Sequence, residues 1–294
     1  MLRDINAYIS SGKQQVDDTL KSVFENKAIP SNLQQPMTYS LFAGGKRLRP
    51  ILLFASYEAF AKDKNKVLKT ASALEMIHTY SLIHDDLPAM DDDDYRRGSL
   101  TNHRKFDEAT AILAGDSLLT YSFELIATDS LLSPEEKVYL LQSLSKASGA
   151  EGMVAGQILD TEGENKELTL KDLEQIHELK TGELISFAIT AGAYLANVDK
   201  ERINHLKDYA YYLGLIFQVQ DDILDVVGDP DKLGKPVGSD EANEKSTYPN
   251  LLGLEGAKKQ RDIYEEKAKT ALEKANASDS YLLDLLYFFG QRDH

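Results

Sequence analysis

From residue 64 to residue 84 the chain sets Val67, Leu68, Ala71, Leu74, Glu75, Ile77, His78, Ser81 and Leu82 at spacings of three and four, so Glu75, His78 and Ser81 lie on the apolar stripe. That period draws one face of a helix. Polar side chains in the middle of an apolar stripe call for an explanation. Similar patterns run through 107–127, 135–160, 170–196 and 200–227. Ser133-Pro134-Glu135-Glu136 marks a helix start at the second of these. Thr169-Leu170-Lys171-Asp172 opens the next in the style of a capping box, with Asp where Glu or Gln is usual. No stretch alternates with period two, and no Asn-Gly or Asp-Gly pair signals a hairpin. The pattern predicts an all-α protein whose helices are about twice the usual length, arranged as a bundle or a deep cup.

Composition narrows the function classes. The 294 residues carry 48 acidic and 33 basic side chains, a net charge of −15, which opposes any broad grip on nucleic acid or anionic lipid. The absence of cysteine removes disulfides and thiolate chemistry. No run approaches the roughly 20 apolar residues of a bilayer span, and Met1-Leu2-Arg3-Asp4-Ile5 has no signal-peptide pattern. The expectation is a cytoplasmic protein without membrane insertion. Two acidic clusters about 135 residues apart hint at related halves, yet no linker separates them, and residues 1–294 read as one domain. The loop-rich interval 228–250, with Gly228, Pro230, Gly234, Pro236, Gly238 and Pro249 alongside Lys232, Lys235, Asp240 and Lys245, reads as a functional lid.

The densest chemical signal is His84-Asp85-Asp86-Leu87-Pro88-Ala89-Met90-Asp91-Asp92-Asp93-Asp94-Tyr95-Arg96-Arg97-Gly98. An acidic run is ordinarily a solvated surface. This one stands where a strongly apolar helix ends, contains a proline that lets Asp91 turn back toward Asp85, and adjoins two arginines suited to an anionic ligand. A second cluster, Gln218-Val219-Gln220-Asp221-Asp222-Ile223-Leu224-Asp225, puts Asp221 and Asp225 on one helix face. Like charges at that spacing repel, and a hard cation such as Mg²⁺ is a natural compensation; an ordinary salt-bridged helix is the plainer alternative. Gly44-Gly45-Lys46-Arg47-Leu48-Arg49-Pro50 joins flexible backbone to three cations, which fits an oxyanion loop and, taken alone, equally a nucleic-acid patch or a surface turn. Lys180-Thr181-Gly182 interrupts a long helix, and glycine there can open the backbone toward a ligand; the plainer alternative is a glycine tolerated within the helix at about 1 kcal/mol relative to Ala. His78 taken alone reads as a core histidine. No Walker-type loop and no Ser/His/Asp pattern is present.

Taken in order along the chain, Gly44–Pro50, Asp85–Gly98, Lys180-Thr181, Gln218–Asp225, and Gly234-Lys235 followed by Asp240 and Lys245-Ser246-Thr247-Tyr248 resemble the trans-prenyltransferases, the all-α isoprenyl diphosphate synthases. The resemblance implies long helices around a deep central cavity, with the two Asp-rich motifs facing across its mouth, usually in a homodimer. It implies that an allylic diphosphate (dimethylallyl or geranyl) ionises, that isopentenyl diphosphate attacks the carbocation, and that the departing pyrophosphate takes the proton. Asp85, Asp91 and Asp221 would ligate about three Mg²⁺ ions, with Asp86 and Asp225 supporting them. Arg96, Lys180 and Lys235 would hold the allylic diphosphate; Lys46, Arg49, His78 and Arg97 would hold isopentenyl diphosphate. Thr181 and Gln218 would turn oxygen dipoles to the cation. The lid and Arg292 would exclude water.

In that family the residue five before the first Asp motif forms the cavity floor, here Tyr80. A bulky ring there, with the long Asp85-Asp86-x4-Asp91 spacing, implies a fifteen-carbon product of the bacterial farnesyl type. Alternatives are a twenty-carbon geranylgeranyl product with the floor elsewhere, a terpene cyclase, which has no need of Lys46, Arg49 and Arg97, and a non-catalytic subunit or metal-binding scaffold.

Overall fold

Side-chain caps write the helix starts of this chain. Asp107 accepts from the Thr110 amide, Asp199 from that of Arg202, Thr247 from that of Asn250 and Ser280 from that of Leu282. At Thr169 the capping box is complete, Asp172 reaching back to the Thr169 amide at 3.0 Å. Ser133 and Glu136 form another, at 3.2 and 2.8 Å. Each such exchange satisfies amides that a helix leaves unpaired, stabilising it by about 1 kcal/mol.

The computed structural model describes residues 3–25, 27–163, 166, 168–228 and 246–292. The helices are α1 (Ile5–Phe24), α2 (Ser31–Leu41), α3 (Leu48–Glu58), α4 (Leu68–Asp85), α5 (Asn102–Lys105), α6 (Glu108–Ala127), α7 (Pro134–Ser148), α8 (Met153–Gly163), α9 (Leu170–His177), α10 (Glu183–Leu195), α11 (Lys200–Val227), α12 (Tyr248–Leu252), α13 (Leu254–Lys274) and α14 (Tyr281–Gln291). A 3₁₀ turn, Lys64–Val67, precedes α4, and a π-helical turn, Glu178–Gly182, joins α9 to α10. The only strands among the described residues are β1 (Tyr95–Arg96) and β2 (Ser99–Leu100), paired antiparallel with Tyr95 opposite Leu100. Their turn has Arg97 and Gly98 both at positive φ, 54° and 75°, the twist-matched hairpin geometry. The all-α expectation holds, apart from this one hairpin that no Asn-Gly or Asp-Gly pair announced. Among the described residues no helix is long and apolar enough to cross a membrane.

The chain divides into two compact units, one of Asn6–Phe54 and Asp63–Leu141, the other of Met1–Ile5, Ala55–Lys62 and Gln142–His294. In the first, α4 packs along α6, with α2 against both. Its buried residues run Thr70 to Ile77, then Thr79, Tyr80 and Ile83, so α4 is enclosed nearly all round, and the single apolar face read from its sequence is too narrow a description. In the second unit, α11, about 42 Å long, packs against α10, α13 and α14. The polar α13 turns Ala257, Tyr264, Ala268, Ala271 and Leu272 inward.

Two expected helices are revised. The 135–160 pattern breaks into α7 and α8 across residues 149–152, where Gly149 and Gly152 stand within four positions. The 170–196 pattern keeps its path but widens at Glu178–Gly182, the interval flagged by Lys180-Thr181-Gly182.

Candidate active site

In the first unit, α4 delivers His78, Tyr80, His84 and Asp85 along one helix and stops at Asp85. The chain then doubles back: the Asp91 amide donates to the Asp85 carbonyl at 2.9 Å, the return expected around Pro88. Tyr80 is buried and meets the His84 ring edge-on at 5.7 Å, so the two share a face. Burial, with Asp85 adding to it, pushes the Tyr80 hydroxyl up to about 12, and it stays a neutral phenol. Asp86 is 3% exposed. Burial pushes its carboxyl up to about 6, with Arg96 pulling the other way and Asp93 and Asp85 adding to the rise. The Arg96 guanidinium, on β1, donates through Nε to Asp86 and through Nη2 to Asp93 at 3.1 Å. Asp86 therefore anchors Arg96.

The basic loop lies in the same unit. The Arg97 guanidinium donates to the Gly44 carbonyl at 2.8 Å. A Cβ on Gly45 would stand 2.5 Å from that guanidinium, and Gly45 holds φ 104°, a backbone region that side-chain-bearing residues rarely adopt, so this position favours glycine. Arg49 Nη1 is 3.3 Å from His78 Nε2. Burial first, then Arg49, Arg97, Arg47 and Arg96, holds His78 well below the usual imidazole range and neutral at pH 7. A neutral ring can receive a hydrogen bond from Arg49 at Nε2. Lys46 is half-buried beside them.

The second unit carries the other set. Lys180 and Thr181 sit on the π-helical turn, and α8 approaches that turn so closely that a Cβ on Gly156 would stand 2.2 Å from the Lys180 amide nitrogen. Asp160, one turn further along α8, takes a hydrogen bond from Lys180 Nζ at 2.6 Å. Thr181 Oγ1 donates to Gln218 Oε1 at 3.1 Å, so the two side chains expected to present dipoles are joined. On α11, Asp221 is 45% exposed at its side chain, and Arg292 donates to it at 2.7 Å while stacking over Phe217 at 3.9 Å. Gln220 holds the Arg292 carbonyl at 2.8 Å. Arg292 is thus seated on an aspartate of the second motif. Asp225 is buried, and Asp222 accepts from the Tyr248 amide at 2.9 Å, fastening the start of α12. Lys235, with Lys232, Asp240, Lys245 and the rest of 229–245, lies outside the described residues.

Lys46, Arg49, His78, Tyr80, Asp85, Asp86, Asp91, Arg96 and Arg97 therefore belong to one unit, and Lys180, Thr181, Gln218, Asp221 and Asp225 to the other. Sequence reasoning passed over Asp160, whose only signal is a carboxylate four residues after Gly156 on α8. It also passed over Asp222, whose backbone partner is 26 residues away. The aspartates are hard oxygen donors of the kind Mg²⁺ takes. Among the described residues no three His, Asp or Glu side chains gather into a ready-made metal site. Mg²⁺ is usually bound through one or two carboxylates plus substrate phosphates, so this donor set suits it.

Long helices almost without strands among the described residues, an aspartate cluster at the end of α4 and another on α11, and separate groups of arginines and lysines set for anions define an isoprenoid synthase fold. The family model of the polyprenyl synthetases matches residues 30–283, and the chain belongs to that family. A farnesyl diphosphate synthase of Geobacillus stearothermophilus is 48% identical over 292 residues, 99% of this chain and 98% of that protein. One from Bacillus subtilis is 46% identical across the full length of both. The crystal structure of a geranyltransferase from Helicobacter pylori, complexed with magnesium and isoprenyl diphosphate, superposes with a TM-score of 0.84 at 34% identity, covering 98% of this chain and 99% of that one.

Proposed function

We propose that this chain is a prenyltransferase that adds isopentenyl diphosphate to dimethylallyl and then geranyl diphosphate, giving (2E,6E)-farnesyl diphosphate and pyrophosphate. In each cycle the allylic C–O bond breaks, a C–C bond forms to isopentenyl diphosphate, and the proton lost from the product goes to pyrophosphate. The observation that carries the reading is the gathering of Arg49, Arg96 and Arg97 around a neutral His78, immediately behind an aspartate-rich turn. Its support from outside is full-length identity of nearly half to two farnesyl diphosphate synthases.

On this reading Lys46, Arg49, His78 and Arg97 bind isopentenyl diphosphate, and Arg96, Lys180 and Lys235 bind the allylic diphosphate. Asp85, Asp91 and Asp221 would hold about three Mg²⁺, with Asp225 supporting them and Asp86 steadying Arg96. The chemistry the metal supplies when bound is Lewis-acid neutralisation of charge on the leaving pyrophosphate. Thr181 and Gln218, already joined, present fixed dipoles where positive charge develops. Tyr80, neutral and buried on the face of α4 that leads to Asp85, closes the tail's path near fifteen carbons. The working form is a cytoplasmic homodimer of one catalytic domain spanning 1–294. Exposed apolar side chains on α6 and α7, among them Ile112, Leu113 and Val138, supply surface for a second copy.

The test is product length after incubation with labelled isopentenyl diphosphate, dimethylallyl diphosphate and Mg²⁺. A fifteen-carbon diphosphate is expected. A twenty-carbon product keeps the chemistry and moves the floor away from Tyr80, and absence of product with either primer overturns the enzymatic reading.

A further inference from the structure

Glu75 sits in the middle of α4, 2% exposed, one turn before His78. A buried carboxylate is costly unless a cation and further hydrogen bonds meet it. Its partner is Arg47, which donates from Nη1 to Glu75 at 2.8 Å, from Nε to Asp17 of α1 at 2.9 Å, and from Nη2 to the carbonyl of Leu41 at the end of α2. Arg47 is 3% exposed, so its charge is spent within the protein and cannot reach a substrate. Its backbone is left-handed, φ 54°, a region where a long L side chain persists only when its surroundings hold it. The cations next to it in the loop, Lys46 and Arg49, are the ones assigned to isopentenyl diphosphate. The third, Arg97, leans on the same loop through the Gly44 carbonyl. Burial works against the Arg97 charge, and Glu75 is the group that favours it most.

We infer that Glu75, acting through Arg47 with Asp17, is a positioning residue for the isopentenyl diphosphate site. The buried triad locks the loop in the one backbone conformation that turns Lys46 and Arg49 outward together, and the same carboxylate steadies Arg97. This rests on the assignment of Lys46, Arg49 and Arg97 to isopentenyl diphosphate. It makes a prediction opposite in sign to simple electrostatics. A negative charge beneath a diphosphate site repels the ligand, so neutralising it should tighten binding. If the carboxylate works by positioning, neutralising it loosens binding.

The experiment compares wild type with Glu75→Gln, Arg47→Met, the double variant, and Asp17→Asn, each checked for folding by circular dichroism and melting. Steady-state kinetics give KM for isopentenyl and geranyl diphosphate and kcat, and calorimetry gives Kd for isopentenyl diphosphate in the absence of Mg²⁺. Expected for Glu75→Gln is a rise of about tenfold or more in both KM and Kd for isopentenyl diphosphate, the scale of one lost charged hydrogen bond. KM for geranyl diphosphate should stay within about twofold. The double variant should be no worse than the poorer single one, because both act through one contact. Tighter or unchanged isopentenyl diphosphate binding by a folded Glu75→Gln protein overturns the inference, as does an equal loss for both substrates. Should Glu75→Gln not fold, Asp17→Asn carries the same comparison. Arg97→Ala separates the two levels: if it leaves KM for isopentenyl diphosphate unchanged, the site assignment falls and the inference with it; if it raises KM while Glu75→Gln does not, only the positioning role falls.

Discussion

His177 closes α9 just before the π-helical turn that displays Lys180 and Thr181. It is buried, stacked on Tyr248 at 5.6 Å, and its Nδ1 has no hydrogen-bond partner. Burial lowers its pKa from 6.5 to about 4, with Asp160 opposing and Lys180 assisting. The unfolded chain therefore takes up a proton from pH 6.5 downward that the folded chain refuses until about pH 4. Stability is intact above 6.5 and is lost as pH falls through this window. At pH 5 the loss relative to pH 8 is about 2 kcal/mol from this one group, rising to about 3 kcal/mol below pH 4. His177→Phe keeps an aromatic ring against Tyr248 and never charges. Urea unfolding followed by circular dichroism at pH 8 and pH 5 gives the stability difference for each protein, and subtraction cancels every other titrating group. Wild type should lose about 2 kcal/mol more than the variant between the two pH values. Equal losses, within about 0.5 kcal/mol, would refute the claim that this imidazole is held neutral.

The remaining predictions concern the site. Tyr80→Ala should lengthen the product beyond fifteen carbons with turnover retained, read by chromatography of the dephosphorylated alcohols; an unchanged product from an active variant removes Tyr80 as the floor. Asp85→Ala should abolish turnover while the melting temperature stays within a few degrees of wild type, and near-normal turnover would dismiss its role as a metal ligand. Gly156→Ala must displace either α8 or the π-helical turn, because the new methyl meets backbone at 2.2 Å. It should cost about 1–3 kcal/mol and raise KM for the allylic substrate, measured by denaturation and kinetics. Stability and KM both equal to wild type would mean that the close approach does not matter.

Much of the local structure was legible because its causes are local. The start of α9 follows from Thr169 and Asp172, three residues apart, and α11 from the continuous stripe over 200–227. The return of Asp91 to Asp85 follows from a proline two residues after Asp86. Where the periodicity misled, packing was the reason. The stripe on α4 predicts one buried face, but enclosure on nearly every side buries Thr70, Ser72 and Thr79 as well. The 135–160 pattern is apolar enough for one helix, and Gly149 and Gly152, three residues apart, end it.

The sequence by itself determined which chemical groups this protein brings and in what order: two aspartate motifs, a glycine-rich basic loop, a Lys-Thr pair at a helix interruption. Residue type and spacing suffice for that, since a carboxylate is a hard oxygen donor and a guanidinium a cation before any folding. Only the tertiary structure decided which partner each group meets. Lys180 meets Asp160, Arg292 meets Asp221 from 71 residues away, Tyr248 meets Asp222, and Arg47 turns away from its basic neighbours toward Glu75. Spacing along the chain carries no information about such distant contacts, and burial, which holds His78 neutral and lifts Asp86 to about 6, exists only once the helices have packed.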